Sequence, residues 1–177
     1  MKRTVLLLLL TLCTLTLSAQ ESQMFRKGYR ANIELGNHTI IGKGQYGGLV
    51  QVTTSQGYSF GNGAYVGLGA GVGVELDGDV YIPLFMDAKY NFIDNKISPF
   101  ASVRTGLLFG PEGGHSYGNY ISYGFSLGGG VDFGRFSIKL GYEYYAAASK
   151  SYNTRAGRYE ISYSKPSMLF CSFAFNF

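Results

Sequence analysis

The sequence predicts an all-β fold, specifically an eight-stranded antiparallel up-and-down transmembrane β-barrel. Three observations support this prediction. Apolar and small polar residues alternate along most of the chain, turn residues interrupt the alternation, and the final segment CSFAFNF alternates up to the chain end. A two-residue period is typical of strands with two different faces. The 26 glycines, 15 tyrosines and 13 phenylalanines agree with it, because glycine disfavours helices and aromatic residues favour sheets.

Residues 1–20 have the organisation of a secretory signal peptide, with Lys2 and Arg3 before an apolar run and small residues around Ala19. A retained membrane helix is the alternative, but such a helix needs about 20 apolar residues. We therefore expect cleavage near Ala19, which leaves residues 21–177 as one exported outer-membrane β-barrel domain.

The eight predicted strands are separated by turn signals such as Gly-Asn-Gly and Asp-Gly-Asp. Their lengths suit strands that cross a bilayer at a tilt, which need about 9–11 residues. They span residues 25–36, 46–57, 63–76, 79–92, 97–110, 120–134, 135–148 and 166–177.

The two faces of each strand differ in bulk as well as polarity. Within 120–134, for example, Phe125 and Leu127 alternate with Gly124 and Ser126. A soluble barrel or sandwich, with a ligand or an aromatic core inside, would place the bulky face inward. Glycine and serine make a poor solvent face but suit a narrow lumen. We therefore expect apolar residues to face lipid, small and charged residues to face inward, and the last strand to pair with the first, because a membrane sheet must close.

The connections and the aromatic residues fit this arrangement. Short turns at 58–62, 93–96 and 134–135 alternate with longer segments at 37–45, 111–119 and 149–165, as between the periplasmic and extracellular sides of such barrels. The exception is a very short outer loop at 77–78. Two rims of aromatic residues are expected, a lower one of Phe25, Tyr90, Phe92, Phe133, Phe136, Phe175 and Phe177, and an upper one of Tyr46, Tyr120 and Tyr144.

Together, the signal, the eight alternating strands and the terminal phenylalanine resemble the small OmpA/OmpX-like outer-membrane β-barrel family of Gram-negative bacteria. The signal's Ser-Ala-Gln ending is also similar to secretory signals of the Bacteroidota. The resemblance implies a non-enzymatic monomer of the cell outer membrane, in contact with lipid and lipopolysaccharide, that serves envelope integrity or adhesion. It also implies that the barrel assembly machinery reads an alternating signal formed by Leu169, Cys171, Phe173, Phe175 and Phe177. Since no sequence follows Phe177, we expect no periplasmic domain.

The inward faces carry charges of both signs, and buried charges must be paired. We expect either an ion-pair network that fills the lumen, which is the favoured interpretation, or a narrow ion path. The residues of this predicted network are Arg30, Glu34, Glu75, Asp87, Lys89, Arg104, Asp132, Lys139 and Glu143.

An enzymatic alternative is an outer-membrane lipid A-modifying hydrolase on the same barrel. Both histidines, His38 and His115, fall in predicted outer loops, and His115 stands beside Ser116 with Glu112 nearby. Adjacent side chains on an extended segment point apart, so His115 is badly placed to activate Ser116. We therefore predict no catalytic site.

No cofactor, metal or nucleic acid is expected to bind. The glycines at 67, 69, 71 and 73 lack the spacing of a dinucleotide motif, and no Cys or His pair has metal-ligand spacing. The net charge of +4 by itself argues neither for nor against nucleic acid, because nucleic-acid binding needs a clustered basic patch. The segment 149–165 interleaves basic residues with tyrosines, which suggests contacts to lipopolysaccharide or a glycan through Lys150, Arg155, Arg158 and Lys165. The alternative is a solvated hairpin that extends the seventh and eighth strands above the membrane.

Overall fold

The structure is a computed structural model that describes residues 25–41, 47–75, 78–111, 119–153 and 158–177. The predicted signal peptide lies outside these residues. Within the described ranges, nine strands form one antiparallel sheet. They are β1 (Lys27–Ile41), β2 (Gly48–Phe60), β3 (Ala64–Glu75), β4 (Val80–Asn91), β5 (Ile97–Pro111), β6 (Asn119–Phe133), β7 (Phe136–Asn153), β8 (Arg158–Ser164) and β9 (Ser167–Asn176).

The sheet closes into a barrel with eight strand positions. Strands β1 to β7 pair with their neighbours in sequence, and β9 pairs with both β7 and β1. At the closing seam, Ala31 N donates to Phe177 O over 3.0 Å and Phe177 N donates to Ala31 O over 2.9 Å. The prediction that the last strand pairs with the first is confirmed.

Strands β8 and β9 share the eighth position, because both pair with the long strand β7. Pro166 separates them, since proline has no backbone N–H for the ladder. Pairing continues through this break, where Tyr145 N donates to Pro166 O over 3.0 Å. Residues 149–153 and 158–164 continue as paired strands, so the predicted end of the seventh strand at residue 148 is corrected. The alternative interpretation of 149–165, a hairpin that extends the last two strands, is the one observed, and the β7–β8 hairpin extends beyond the barrel wall.

Two other predicted boundaries are also corrected. Strand β1 continues to Ile41, where the sequence predicted a loop from residue 37, and β2 continues to Phe60, where it predicted a turn from residue 58. The connection between β2 and β3 uses Gly61 and Gly63 instead, at φ values of +83° and +90° that favour glycine.

The predicted inversion of the two faces is observed. Leu127, Leu140 and Phe173 point outward and are 54%, 60% and 48% exposed, whereas Asp132 and Lys139 are buried inside the barrel. Successive strand residues point to opposite faces, so the parity of the sequence fixes this arrangement once the sheet closes. The interior therefore contains the buried charged and small polar side chains, and most of the large apolar side chains cover the outside.

Aromatic side chains cluster on the outer surface of the barrel, at the end that carries the short turns and residue 177. Five of the seven predicted lower-rim residues are exposed there, and Phe25 and Phe175 are half-buried. Tyr29, Tyr58 and Phe60 join them, and Tyr58 packs edge-on against Phe60. The Tyr46 position and the Tyr120 side chain of the upper rim lie outside the described part. Across the described ranges, no helix is long and apolar enough to cross a membrane.

Candidate functional site: the barrel lumen

A cluster of ion pairs occupies the middle of the lumen. Glu34 Oε2 accepts hydrogen bonds from Arg104 Nη2 at 3.0 Å and from Lys139 Nζ at 2.9 Å. Asp87 Oδ2 lies 3.8 Å from Arg104 Nη2. These four side chains come from β1, β4, β5 and β7 and are all at least nine-tenths buried. A single carboxylate on β1 thus binds cations from β5 and β7.

His38 belongs to this interior, which corrects its prediction as a loop residue. It lies on the inward face of β1, only 2% exposed, and its Nδ1 is 2.6 Å from Glu143 Oε2 on β7. Its ring stacks on Phe170 with 5.4 Å between centroids. Continuing the parity of β1 through Gly36 would have placed His38 inward. His115 and Ser116 lie outside the described residues.

A second network closes the lumen near the short turns. Asp132 accepts from Lys89 Nζ at 2.7 Å, from Asn91 Nδ2 at 2.6 Å and from Ser137 Oγ at 2.5 Å. Asn176 Nδ2 donates to Ser137 Oγ at 2.7 Å, which links the network to the closing strand β9. Of these five residues, the sequence analysis singled out only Asp132 and Lys89, because uncharged side chains gave no pairing signal.

Each of the three buried cations also lies over a phenylalanine ring. Arg104 Cζ is 3.9 Å from the Phe85 centroid and Lys89 Nζ is 3.9 Å from that of Phe100. Lys139 Nζ lies 5.3 Å from the Phe170 centroid. A ring face attracts a cation, more strongly where water is excluded. The inward phenylalanines therefore complement the ion pairs, a role that the sequence analysis missed.

Inward-facing glycines accommodate these rings. A Cβ at Gly130 would lie 2.1 Å from Ile138 O and 2.7 Å from Phe100 Cζ, and one at Gly141 would lie 2.4 Å from Leu127 O and 2.5 Å from Phe170 Cζ. Real Cβ atoms essentially never approach other atoms this closely. The glycine-rich polar face thus provides seats for side chains from other strands.

We expect Gly130→Ala to lower the free energy of unfolding by about 1–3 kcal/mol, because overpacking forces the Phe100 ring or the backbone to move. Gly129→Ala is the matched control, since that position faces outward and a Cβ there meets only Phe100 O at 3.6 Å. Urea unfolding of both detergent-folded variants measures the difference. Equal loss of stability in the two variants would contradict the interpretation that Gly130 leaves space for the Phe100 ring.

Two small cavities of about 20 Å³ flank the central ion pairs. The upper one is lined by Gln51, Ser126 and Glu143, and it contains the side of Arg104 away from the ion pair. Gln51 Nε2 and Arg104 Nε are buried without a hydrogen-bond partner among the described residues. The lower cavity includes Asn32, whose Oδ1 is likewise unpartnered. Each cavity has the size and polarity to hold one water molecule.

The lumen face becomes apolar at the end opposite the short turns. Six side chains from six strands meet there in one buried cluster, which we call the apolar layer. Its residues are Ile40, Leu49, Tyr81, Leu108, Tyr145 and Met168. The sequence analysis assigned a polar lumen throughout and did not identify this layer.

The other predicted site residues fall into three groups. Arg30 and Glu75 are half-buried on inward faces, and Glu75 Oε2 accepts from Tyr81 Oη at 2.8 Å. The residues of the predicted assembly signal share the outward face of β9. Lys165 is exposed beside the barrel, Arg155 lies outside the described residues, and the side chains of Lys150 and Arg158 do not belong to the described part.

In the described ranges, no group of three or more His, Cys, Asp or Glu side chains is placed to hold a metal ion. The charged side chains of the central cluster and of the Asp132 network are instead paired with one another across the barrel. This arrangement braces the strands against each other.

No protein-family model matches the chain, and no curated protein matches it. Its fold resembles solved outer-membrane barrels. Neisserial surface protein A (NspA) superimposes with a TM-score of 0.56 at 14% identity, over 84% of this chain and 97% of that one. The N-terminal β-barrel domain of Pseudomonas aeruginosa OprF gives 0.53 at 14% identity, over 86% and 100%. The suggested likeness of the signal to Bacteroidota receives no support from them. The chain thus has the closed eight-stranded fold found in these outer-membrane proteins.

Proposed function

We propose that this chain is a non-enzymatic integral protein of the bacterial outer membrane, related to the OmpA/OmpX-like barrels. The mature barrel is exported through the signal peptide at 1–20 and inserts as a monomer with its short turns in the periplasm. Its lumen is filled by side chains, and its loops at the opposite end act in envelope integrity or adhesion.

The observation that carries this proposal is the continuous apolar outer face. Monomeric soluble proteins rarely expose apolar patches larger than a few hundred Å². Here large apolar residues such as Leu68, Met86 and Leu140 are exposed on strand after strand, while charged residues such as Asp87, Arg104 and Lys139 are buried inside. Such a surface is unstable in water and well matched to hydrocarbon, and the closed ladder satisfies the backbone polar groups that lipid cannot.

The rim residues support the same orientation. Aromatic side chains stand at membrane interfaces in this class of barrel, and the end with the short turns carries stacked pairs such as Phe136 with Phe173. In this orientation the outward face of β9, from Leu169 to Phe177, is presented along the barrel's closing seam as an assembly signal for the barrel assembly machinery.

The proposal for the outer side rests on the β7–β8 hairpin, which extends beyond the barrel wall. We place Lys150, Arg155, Arg158 and Lys165 against lipopolysaccharide, whose phosphates suit basic side chains. The hydrolase alternative gains nothing from the described residues, since His38 faces the lumen rather than the lipid.

One set of experiments tests the proposal. The expressed protein should fractionate with outer membranes and migrate faster on a gel before boiling than after it, as folded barrels do. Recovery in the aqueous phase without detergent would overturn the membrane assignment. In the second arm, Arg155→Glu with Arg158→Glu should weaken binding of the folded barrel to lipopolysaccharide, whereas Lys27→Glu at the periplasmic end should not. Equal binding by all forms would remove the lipopolysaccharide contact alone.

A further inference from the structure

The apolar layer draws side chains from six of the eight strand positions around the lumen. Its members come from β1, β2, β4, β5, β7 and β9, and the five fully buried ones are 4–8% exposed. Leu49, Leu108 and Met168 therefore meet from separate parts of the wall. No charged side chain belongs to this cluster, and its Tyr81 hydroxyl donates to Glu75 Oε2 over 2.8 Å.

Below this layer the lumen is polar down to the short turns. The upper cavity, the central ion pairs, the lower cavity and the Asp132 network follow one another in this direction. Buried polar atoms such as Gln51 Nε2 and Asn32 Oδ1 lack protein partners there. At these levels, polar groups of the protein can replace the hydration shell of an ion or hydrogen-bond to a water molecule.

We propose that the apolar layer, and not the ion-pair cluster beneath it, is the barrier that prevents ions from crossing the lumen. An ion at the cluster finds charged groups that can replace its hydration, since Glu34 Oε2 lies within hydrogen-bond distance of both Arg104 and Lys139. An ion between the aliphatic side chains of the apolar layer, such as Leu49 and Leu108, loses hydration that these side chains have no polar atom to replace, which is how hydrophobic constrictions close channels. The proposal rests on the proposed membrane insertion of the barrel.

The experiment measures potassium flux through liposomes that contain the folded full-length mature protein. Leu108→Ser places a hydroxyl within the layer and should raise the flux about tenfold or more, because the constriction becomes wettable. Leu107→Ser is the matched control, since its side chain faces outward and is 42% exposed. Lys139→Met alters the ion-pair cluster and should leave the flux at the wild-type level.

The outcomes separate the two barriers. High flux in Lys139→Met with unchanged flux in Leu108→Ser would assign the barrier to the ion pairs and overturn the proposal. High flux in Leu107→Ser as well would mean that any disturbance of the wall opens the barrel, which also overturns it. If Leu108→Ser fails to fold by the boiling gel shift, Leu49→Ser with Val50→Ser as its outward control replaces the pair.

Insertion is scored separately, by flotation of the protein with the liposomes. Failure to float would contradict the proposed membrane function. Flotation combined with equal flux in the wild type, Leu108→Ser and Leu49→Ser would contradict only the proposed barrier. The two failures are therefore distinguishable.

Discussion

Glu34→Gln is expected to lower the free energy of unfolding by about 3–5 kcal/mol, the typical loss when one partner of a buried ion pair is removed. Glu34 is the shared acceptor of Arg104 and Lys139, and its side chain is 8% exposed. The amide keeps the volume but not the charge. Lys139 then has no carboxylate within ion-pair distance among the described residues, and Arg104 keeps only Asp87 at 3.8 Å.

Two variants test whether charge is the cause. Glu75→Gln is the matched control, because Glu75 is half-buried and accepts from the neutral Tyr81 hydroxyl. It should cost about 1 kcal/mol or less. Adding Lys139→Met to Glu34→Gln removes the ammonium group that has lost its carboxylate partner. The double variant should recover part of the lost free energy of unfolding. Urea unfolding in detergent provides the measurement. It is followed by circular dichroism, because the chain contains no tryptophan for fluorescence. Similar losses for Glu34→Gln and Glu75→Gln would refute the central role of Glu34.

The faces of the strands are predictable from sequence because parity is a local property. Where a bulky residue such as Leu127 stands between two small ones such as Ser126 and Gly128, the sequence alone distinguishes the two faces of the strand. Closure followed from the physics of lipid, which tolerates no open sheet edge. The barrel was therefore accessible from the chain alone.

The apolar layer was hidden because alternation disappears there. Leu49 precedes Val50, and Leu108 follows Leu107, so inward and outward residues are equally apolar at the end of each strand. The opposite happens around His38, whose outward neighbours Asn37 and Thr39 are polar. In both places the contrast that marks a strand face is lost, although the strand continues.

The partners within the lumen could not be derived from the sequence either. Glu34 and Lys139 are 105 positions apart, and their contact depends on the closure of the barrel and on the stagger of its strands. The alternation of the sequence shows which charged residues face inward. It does not show how far along the barrel axis each of them lies. The pairing of Asp132 with Lys89 likewise required the structure.

Asp132→Asn is the second change with a large expected effect, again a loss of about 3–5 kcal/mol in the free energy of unfolding. Asp132 is 2% exposed, and Lys89, Asn91 and Ser137 all donate to it. An asparagine replaces one acceptor oxygen by an NH₂ group that faces these donors. Lys89 is left without its carboxylate partner, and a donor is set against donors.

A control outside the network distinguishes this loss of stability from a general effect of mutation. Asp94→Asn is the control, since Asp94 is exposed in a turn and its Oδ1 accepts from Phe25 N at 3.1 Å, a bond that asparagine preserves. It should change stability by less than about 0.5 kcal/mol. The temperature at which half of the protein loses its fast gel mobility should fall for Asp132→Asn and stay constant for Asp94→Asn. A wild-type transition in Asp132→Asn would mean that the buried donors find other acceptors, and the network would then contribute nothing to closing this end of the barrel.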